Sequence, residues 1–210
     1  MLQQYLTIQQ TGKYEMVIQK SRFIAHFKRT ETEQDATNFI SSIKKEHWHA
    51  AHNCAAYLIG ENDTIQKAND DGEPSGTAGV PMLEVLKKRG LKDTCVVVTR
   101  YFGGIKLGAG GLIRAYGRAV SDGLVSVGIV KRTRVQVVHT TVDYTWLGKL
   151  ENELHTSPYI IKTVSYTDKV TIETYVEQHL VDTFHQWVTA VTNGQAVIAN
   201  GDTSYLETPI

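Results

Sequence analysis

Residues 170–177 read Val170-Thr171-Ile172-Glu173-Thr174-Tyr175-Val176-Glu177, with Val170, Ile172, Thr174 and Val176 alternating against Glu173 and Glu177. A period of two is that of a strand with one buried face. Immediately before it, Thr167-Asp168-Lys169 has turn chemistry, and Tyr159 to Val164 is a second strand-like run. The two strands pair antiparallel across that turn. After it, Val181, Phe184, Val188 and Val191 change to helical spacing, Asn193-Gly194 supplies a helix stop, and Ala196 to Ala199 begins a further strand. Working backward, Leu147, Leu150 and Leu154 mark a helix capped by Asp143 or Thr145, preceded by a β-branched strand around Val135, Val137 and Val142. The resulting order, β-α-β-β-α-β, is the ferredoxin-like signature: two helices on one face of a four-stranded antiparallel sheet.

The first 130 residues alternate differently. Strands are expected at Tyr14–Ile18 and Arg22–Phe27. Thr30 and Glu33 then form a capping box ahead of a helix with Ala36, Phe39, Ile40 and Ile43 on one face, ending near Lys45. Asn53–Ile59 and Thr94–Tyr101 are further strands, and the run Cys95 to Val98 is that of a strand covered on both faces. A helix through Met82, Leu83 and Leu86 ends at Lys87-Lys88-Arg89-Gly90, and a longer one spans Leu107 to Val127. The fold class is therefore α+β. The domains are expected at 1–132 and 133–210.

The stretch Arg100 to Gly111, R-Y-F-G-G-I-K-L-G-A-G-G, leaves the buried strand and enters the long helix. Glycines permit close approach of another backbone or a phosphate, and the first turn of a helix offers unpaired N–H groups. Arg100, Lys106 and Arg114 add cations, so Arg100, Tyr101, Gly103, Gly104, Lys106, Gly108, Gly110 and Arg114 form a candidate phosphate site. The spacing is neither G-x-G-x-x-G nor a P-loop. The competing reading is a tight strand-to-helix turn.

A second polar segment, Asn69 to Thr77, is turn chemistry throughout. Its carboxylates lie beside Ser75 and Thr77 in an arrangement able to hold Mg²⁺ or act as acid and base, but no complete metal-ligand pattern is present, and a structural role is favoured. His47, His49 and His52 precede Cys54 with the wrong spacing for structural zinc. No metal and no cofactor is expected. His52 and Asn53, with Asp71, Glu73, Ser75 and Thr77, are candidates to line a cleft. Cys54 and Cys95 fall on apolar strands, where buried, unreactive thiols are expected.

The chain has 210 residues, 41% hydrophobic and 21% charged, the composition of an ordinary globular protein. No run approaches a membrane span and no signal peptide is evident, so a cytoplasmic location with reduced thiols is expected. The net charge of zero conceals an asymmetry: residues 1–134 carry 19 Lys plus Arg against 13 Asp plus Glu, and the remainder 3 against 9. A basic first domain is suited to phosphates or an acidic protein surface.

Gly79-Val80-Pro81-Met82-Leu83, Leu86, Leu91, Val97-Val98 and Arg100-Tyr101-Phe102-Gly103-Gly104-Ile105-Lys106-Leu107-Gly108 together resemble the signature of the YigZ/IMPACT family. Lys20-Ser21-Arg22-Phe23, His52-Asn53 with Ala56-Tyr57, and Asp71-Gly72-Glu73-Pro74 with Gly76-Thr77-Ala78-Gly79 are similar too. For the first domain the resemblance implies the α/β sandwich shared by a ribosomal-protein domain, a domain of the translocating elongation factor and the GHMP kinases. For the rest it implies the ferredoxin-like appendage of bacterial members. It further implies a role near translation, since eukaryotic relatives regulate it and bacterial members are suspected of binding nucleic acid or the ribosome. It assigns no catalytic residue.

Two functional expectations follow. The first is a cytosolic, non-enzymatic binding protein whose partner is RNA, the ribosome or a translation-regulatory protein. The alternative is an enzyme acting on a small phosphorylated or peptide substrate in a cleft of His52, Asp71, Glu73 and Arg100.

Overall fold

The computed structural model describes residues 2–210; Met1, the start of the expected first domain, lies outside them. The chain forms β1 (Gln4–Ile8), β2 (Gly12–Ile18), β3 (Ser21–Arg29), α1 (Glu33–Glu46), β4 (His52–Ile59), β5 (Ile65–Asn69), α2 (Gly79–Lys88), β6 (Thr94–Tyr101) and α3 (Gly108–Val127). It continues with β7 (Ile129–Val142), α4 (Tyr144–His155), β8 (Ile160–Tyr166), β9 (Val170–Glu177), α5 (Val181–Val191) and β10 (Val197–Pro209). It divides into two compact units, one running to Lys131 and including Thr208–Ile210, the other Arg132–Glu207. The second domain was expected to reach residue 210. Instead the last three residues return to the first unit, where the Ile210 N–H donates to the Ile129 carbonyl at 3.1 Å.

In the first unit the sheet order is β2-β3-β6-β4-β5, with antiparallel neighbours throughout. β6 is central because both of its faces are apolar. Val96 and Val98 pack with Phe23, Phe27, Met82 and Leu124 on the side of α2 and α3. Cys95 and Val97 pack with Tyr57, Phe39 and Ile43 on the side of α1. Pleating therefore sorts neighbours in sequence onto opposite faces, which matters for the site.

Two strands escape the sequence reading. β5 is almost wholly exposed, with only Ala68 half-buried, so it carries no alternation to detect. β1 is five residues long and flanked by glutamines. The α1 cap also lies two residues beyond the expected one: Thr32, not Thr30, accepts the Asp35 N–H at 3.1 Å and donates to the Asp35 carboxylate at 2.7 Å. Thr30 is held at the end of the sheet by its own N–H, which donates to the Asp93 carbonyl.

The second unit has the strand order β10-β7-β9-β8, with Val138, Ile172, Val176, Leu150, Phe184 and Val188 forming the core beneath α4 and α5. This is the ferredoxin-like arrangement. Asn193 and Gly194 adopt φ of 51° and 75°, ending α5 as the dipeptide predicts.

Candidate functional site

At the end of β6, strand pairing sets Arg100 opposite His52 on β4, and both point to the α2/α3 side. The apolar core stops there. Arg100 is only 5% exposed, and its Nη1 donates to Glu73 Oε1 at 2.7 Å. The same oxygen accepts the Tyr116 hydroxyl from α3 at 2.8 Å. A buried ion pair persists only where hydrogen bonds replace lost water. Arg100 adds cation–π contacts to Phe23 and Phe102 at 5.4 and 5.5 Å. Burial pushes the Tyr116 phenol far above its ordinary pKa, so it remains a donor. Behind it, burial pushes the Cys54 thiol up to about 12. That thiol donates to the Asp70 carbonyl at 2.9 Å and is a packing group, not a nucleophile.

Above this network lies a cavity of about 380 Å³. Its floor is His52, Glu73 and Arg100; its other wall is Lys106, Gly108 and Ala109 at the start of α3, with Phe102 at the rim. His52 Nδ1 lies 2.9 Å from the Asp71 carbonyl, which can only accept, so Nδ1 carries the proton. His52 Nε2 then faces Glu73 Oε2 at 3.8 Å.

The structure thus joins His52, Glu73, Arg100, Lys106 and Gly108 and separates the rest. Arg100, expected as a cation open to phosphate, is spent on Glu73. Tyr101 and Asn53 point to the α1 face. The Tyr101 hydroxyl meets His47 Nδ1 at 2.9 Å, and Asn53 Oδ1 accepts the Thr99 hydroxyl at 2.7 Å. On that face burial, aided by His47, pulls His26 down to about 4, so it is neutral at pH 7. The Asp71 carboxylate also turns away, accepting from Lys44 Nζ at 2.6 Å and the Asn53 N–H at 2.7 Å. Thr77 is buried and donates to the Pro74 carbonyl, while Ser75 is exposed outside the cavity. Gly103 presses against the Lys20 backbone, where an added Cβ would lie 2.1 Å from the carbonyl oxygen.

Gly104, Gly110 and Arg114 lie on the exposed loop and the first turns of α3. Among the described residues, no hydrogen bond reaches the backbone N–H of residues 104–110, and Leu107, at the N-cap of α3, supplies no capping side chain. Lys20, Lys106 and Arg114 are exposed, and no carboxylate pairs with them among the described residues. Tyr116 and Ser21 are the members of the network that sequence reading missed. Tyr116 looks like one more apolar residue in the α3 stripe, and Ser21, which accepts the Gly103 N–H at 3.2 Å, reads as part of a turn.

Comparison with known proteins bears on both units. The family model described as the Impact N-terminal domain matches residues 19–124, and one described as a domain of unknown function (DUF1949) matches 140–195. The chain is 62% identical over 207 residues to IMPACT family member YvyE of Bacillus subtilis (strain 168), covering 99% of this chain and 95% of that one. It is 40% identical over 136 residues to IMPACT family member YigZ of Escherichia coli (strain K12), covering 64% and 67%. A crystal structure described as that of a hypothetical protein superposes with a TM-score of 0.61 at 30% identity, covering 94% of this chain and 97% of the other.

Proposed function

Because the chain belongs to the IMPACT family, we propose that it is a non-enzymatic RNA-binding protein acting near translation, which grips phosphates at the loop between β6 and α3. One observation supports this above all: open backbone donors and unpaired cations coincide on a single exposed edge. Among the described residues the N–H groups of residues 104–110 have no internal acceptor; Lys106 and Arg114 lie in the loop and the first turns of α3, and exposed Lys20 lies with its backbone against Gly103. A helix N-terminus adds partial positive charge to the same place. Phosphate oxygens supply the acceptors that the chain itself lacks there. The family resemblance, through its translation-regulating eukaryotic relatives, favours RNA or the ribosome as their source. No helix among the described residues is long and apolar enough to cross a membrane.

The test is RNA affinity measured against salt concentration. Log affinity should fall linearly with log salt, and Lys106→Ala and Arg114→Ala should each reduce the slope by about one. Affinity that is absent, or indifferent to salt, overturns the reading.

A further inference from the structure

The cavity floor holds a carboxylate oxygen that the phosphate-gripping loop does not explain. Glu73 Oε1 accepts two hydrogen bonds, but Oε2 accepts none, although the side chain is only 4% exposed. Opposite it, His52 has committed its Nδ1 proton to the Asp71 carbonyl, which leaves Nε2 as the ring atom facing Glu73 Oε2, at 3.8 Å. Among the described residues Glu73 Oε2 has no hydrogen-bond donor, and a hydroxyl placed between it and His52 would supply one. The opposite wall has the reverse character: Lys106 and the unpaired N–H groups of Gly108 and Ala109 call for an anion. Phe102, 52% exposed at the rim, offers a ring face on which a planar group can stack. A volume of about 380 Å³ lies in the range of small-ligand sites.

We propose that this cavity binds a ribonucleoside 5′-phosphate unit, with its ribose hydroxyls hydrogen-bonded to His52 Nε2 and Glu73 Oε2 and its phosphate on Lys106 and the start of α3. In RNA, the nucleotide that offers free 2′- and 3′-hydroxyls is the 3′-terminal one. The cavity is then a reader of hydroxyl-ended RNA, which rests on the RNA-binding reading above; a free nucleoside monophosphate has the same chemistry. A terminal 3′-phosphate is excluded because it would bring a second anion against the Glu73 carboxylate and remove the donor that the floor requires.

The experiment compares one short oligoribonucleotide ending in 3′-hydroxyl, 3′-phosphate or 2′,3′-dideoxy, with adenosine 5′-monophosphate as the free ligand. Each is titrated against the full chain and against His52→Ala. Circular dichroism verifies that the variant is folded, and Lys44→Ala, whose side chain lies on the α1 side, serves as a second variant with an intact cavity. The hydroxyl-ended RNA should bind roughly tenfold tighter than either blocked form, the cost of losing a hydrogen bond to a charged group. His52→Ala should erase most of that preference, and Lys44→Ala should keep it. Equal affinity for all three ends, or a preference that His52→Ala leaves intact, overturns the cavity proposal while the RNA reading stands. Adenosine monophosphate binding that depends on His52, with no RNA bound, supports the sugar-phosphate site with a free nucleotide as its occupant and overturns the RNA reading. Absence of both overturns both.

Discussion

Two loops flank the cavity, both dense in glycine and both resembling turns in the sequence, and they solve the same backbone problem in opposite ways. In residues 69–79 six N–H groups, those of residues 71, 73, 76, 77, 78 and 79, find acceptors within the loop itself. Asp70 accepts the N–H groups of Gly76, Ala78 and Gly79 at 2.8, 3.0 and 2.8 Å, and the Asn69 side chain accepts the Asp71 N–H. In residues 102–113, F-G-G-I-K-L-G-A-G-G-L-I, there is no Asp, Glu, Asn, Gln, Ser or Thr, hence no local side chain able to accept, and among the described residues the N–H groups of residues 104–110 stay open. A glycine-rich loop becomes a candidate anion site when its own sequence withholds acceptors; glycine content alone does not distinguish the two.

The loops share one feature, and it sets the largest expected effects. Each is pinned by a glycine against another backbone: a Cβ on Gly103 would lie 2.0 Å from the Lys20 carbonyl carbon, and one on Gly79 would lie 2.4 Å from the Asn69 nitrogen. Main chain cannot yield as a flexible side chain does, so Gly103→Ala and Gly79→Ala should each cost on the order of 3 kcal/mol in denaturant-unfolding experiments. A loss below about 0.5 kcal/mol at Gly103, within the range of ordinary surface changes, would show that the loop is not seated on the β2–β3 turn.

Next in size is Asp70→Ala, which strands three donors in one loop and none in the other. A loss of about 2 kcal/mol is expected, with RNA affinity per folded molecule little changed. Its pH dependence separates the loops further. Burial raises the Asp70 pKa, but the Gly76, Gly79 and Ala78 N–H donors more than reverse this and hold the carboxyl below its ordinary value of 3.8. With the folded value depressed, the stabilisation is fully present above the unfolded pKa and is lost as pH falls through the lower folded one. The gap between wild type and Asp70→Ala should therefore narrow below about pH 4. A gap constant down to acid pH would mean that the carboxylate charge is not what closes this loop.

Much of this was legible beforehand because local chemistry and tertiary position agree. β6 announces itself through four consecutive core residues from Cys95 to Val98, and the second unit through clean switches of period. The site was legible only in part. Sequence adjacency suggested that His52 and Asn53, or Arg100 and Tyr101, act together, whereas the pleat sends the members of each pair to opposite faces of the sheet. Arg100 looked like a free cation because its partner Glu73 lies 27 positions away on a loop with no periodicity. Tyr116 was hidden in plain helical spacing: its ring packs edge-on against Phe23 as the stripe predicts, and only the tertiary fold reveals what its hydroxyl does.

The smallest effect is the most discriminating, because it should move stability and binding in opposite directions. α1 carries Glu33 and Asp35 in its first turn and a Thr32 cap, whereas α3 has no acidic residue in its first turn and no capping side chain. Placing a carboxylate at Ala109 gives α3 the charge that its dipole favours, worth about 0.5 kcal/mol of added stability. Ala109 is exposed on the cavity wall, so the longer side chain meets open space and the same carboxylate competes with phosphate for the N–H groups. Ala109→Glu should thus unfold at slightly higher denaturant concentration than wild type while binding RNA several-fold more weakly. If the open start of α3 is only an unfinished helix cap, the substitution will stabilise the fold and leave RNA affinity unchanged. Only a loop kept open for an anion becomes more stable and less able to bind with one change.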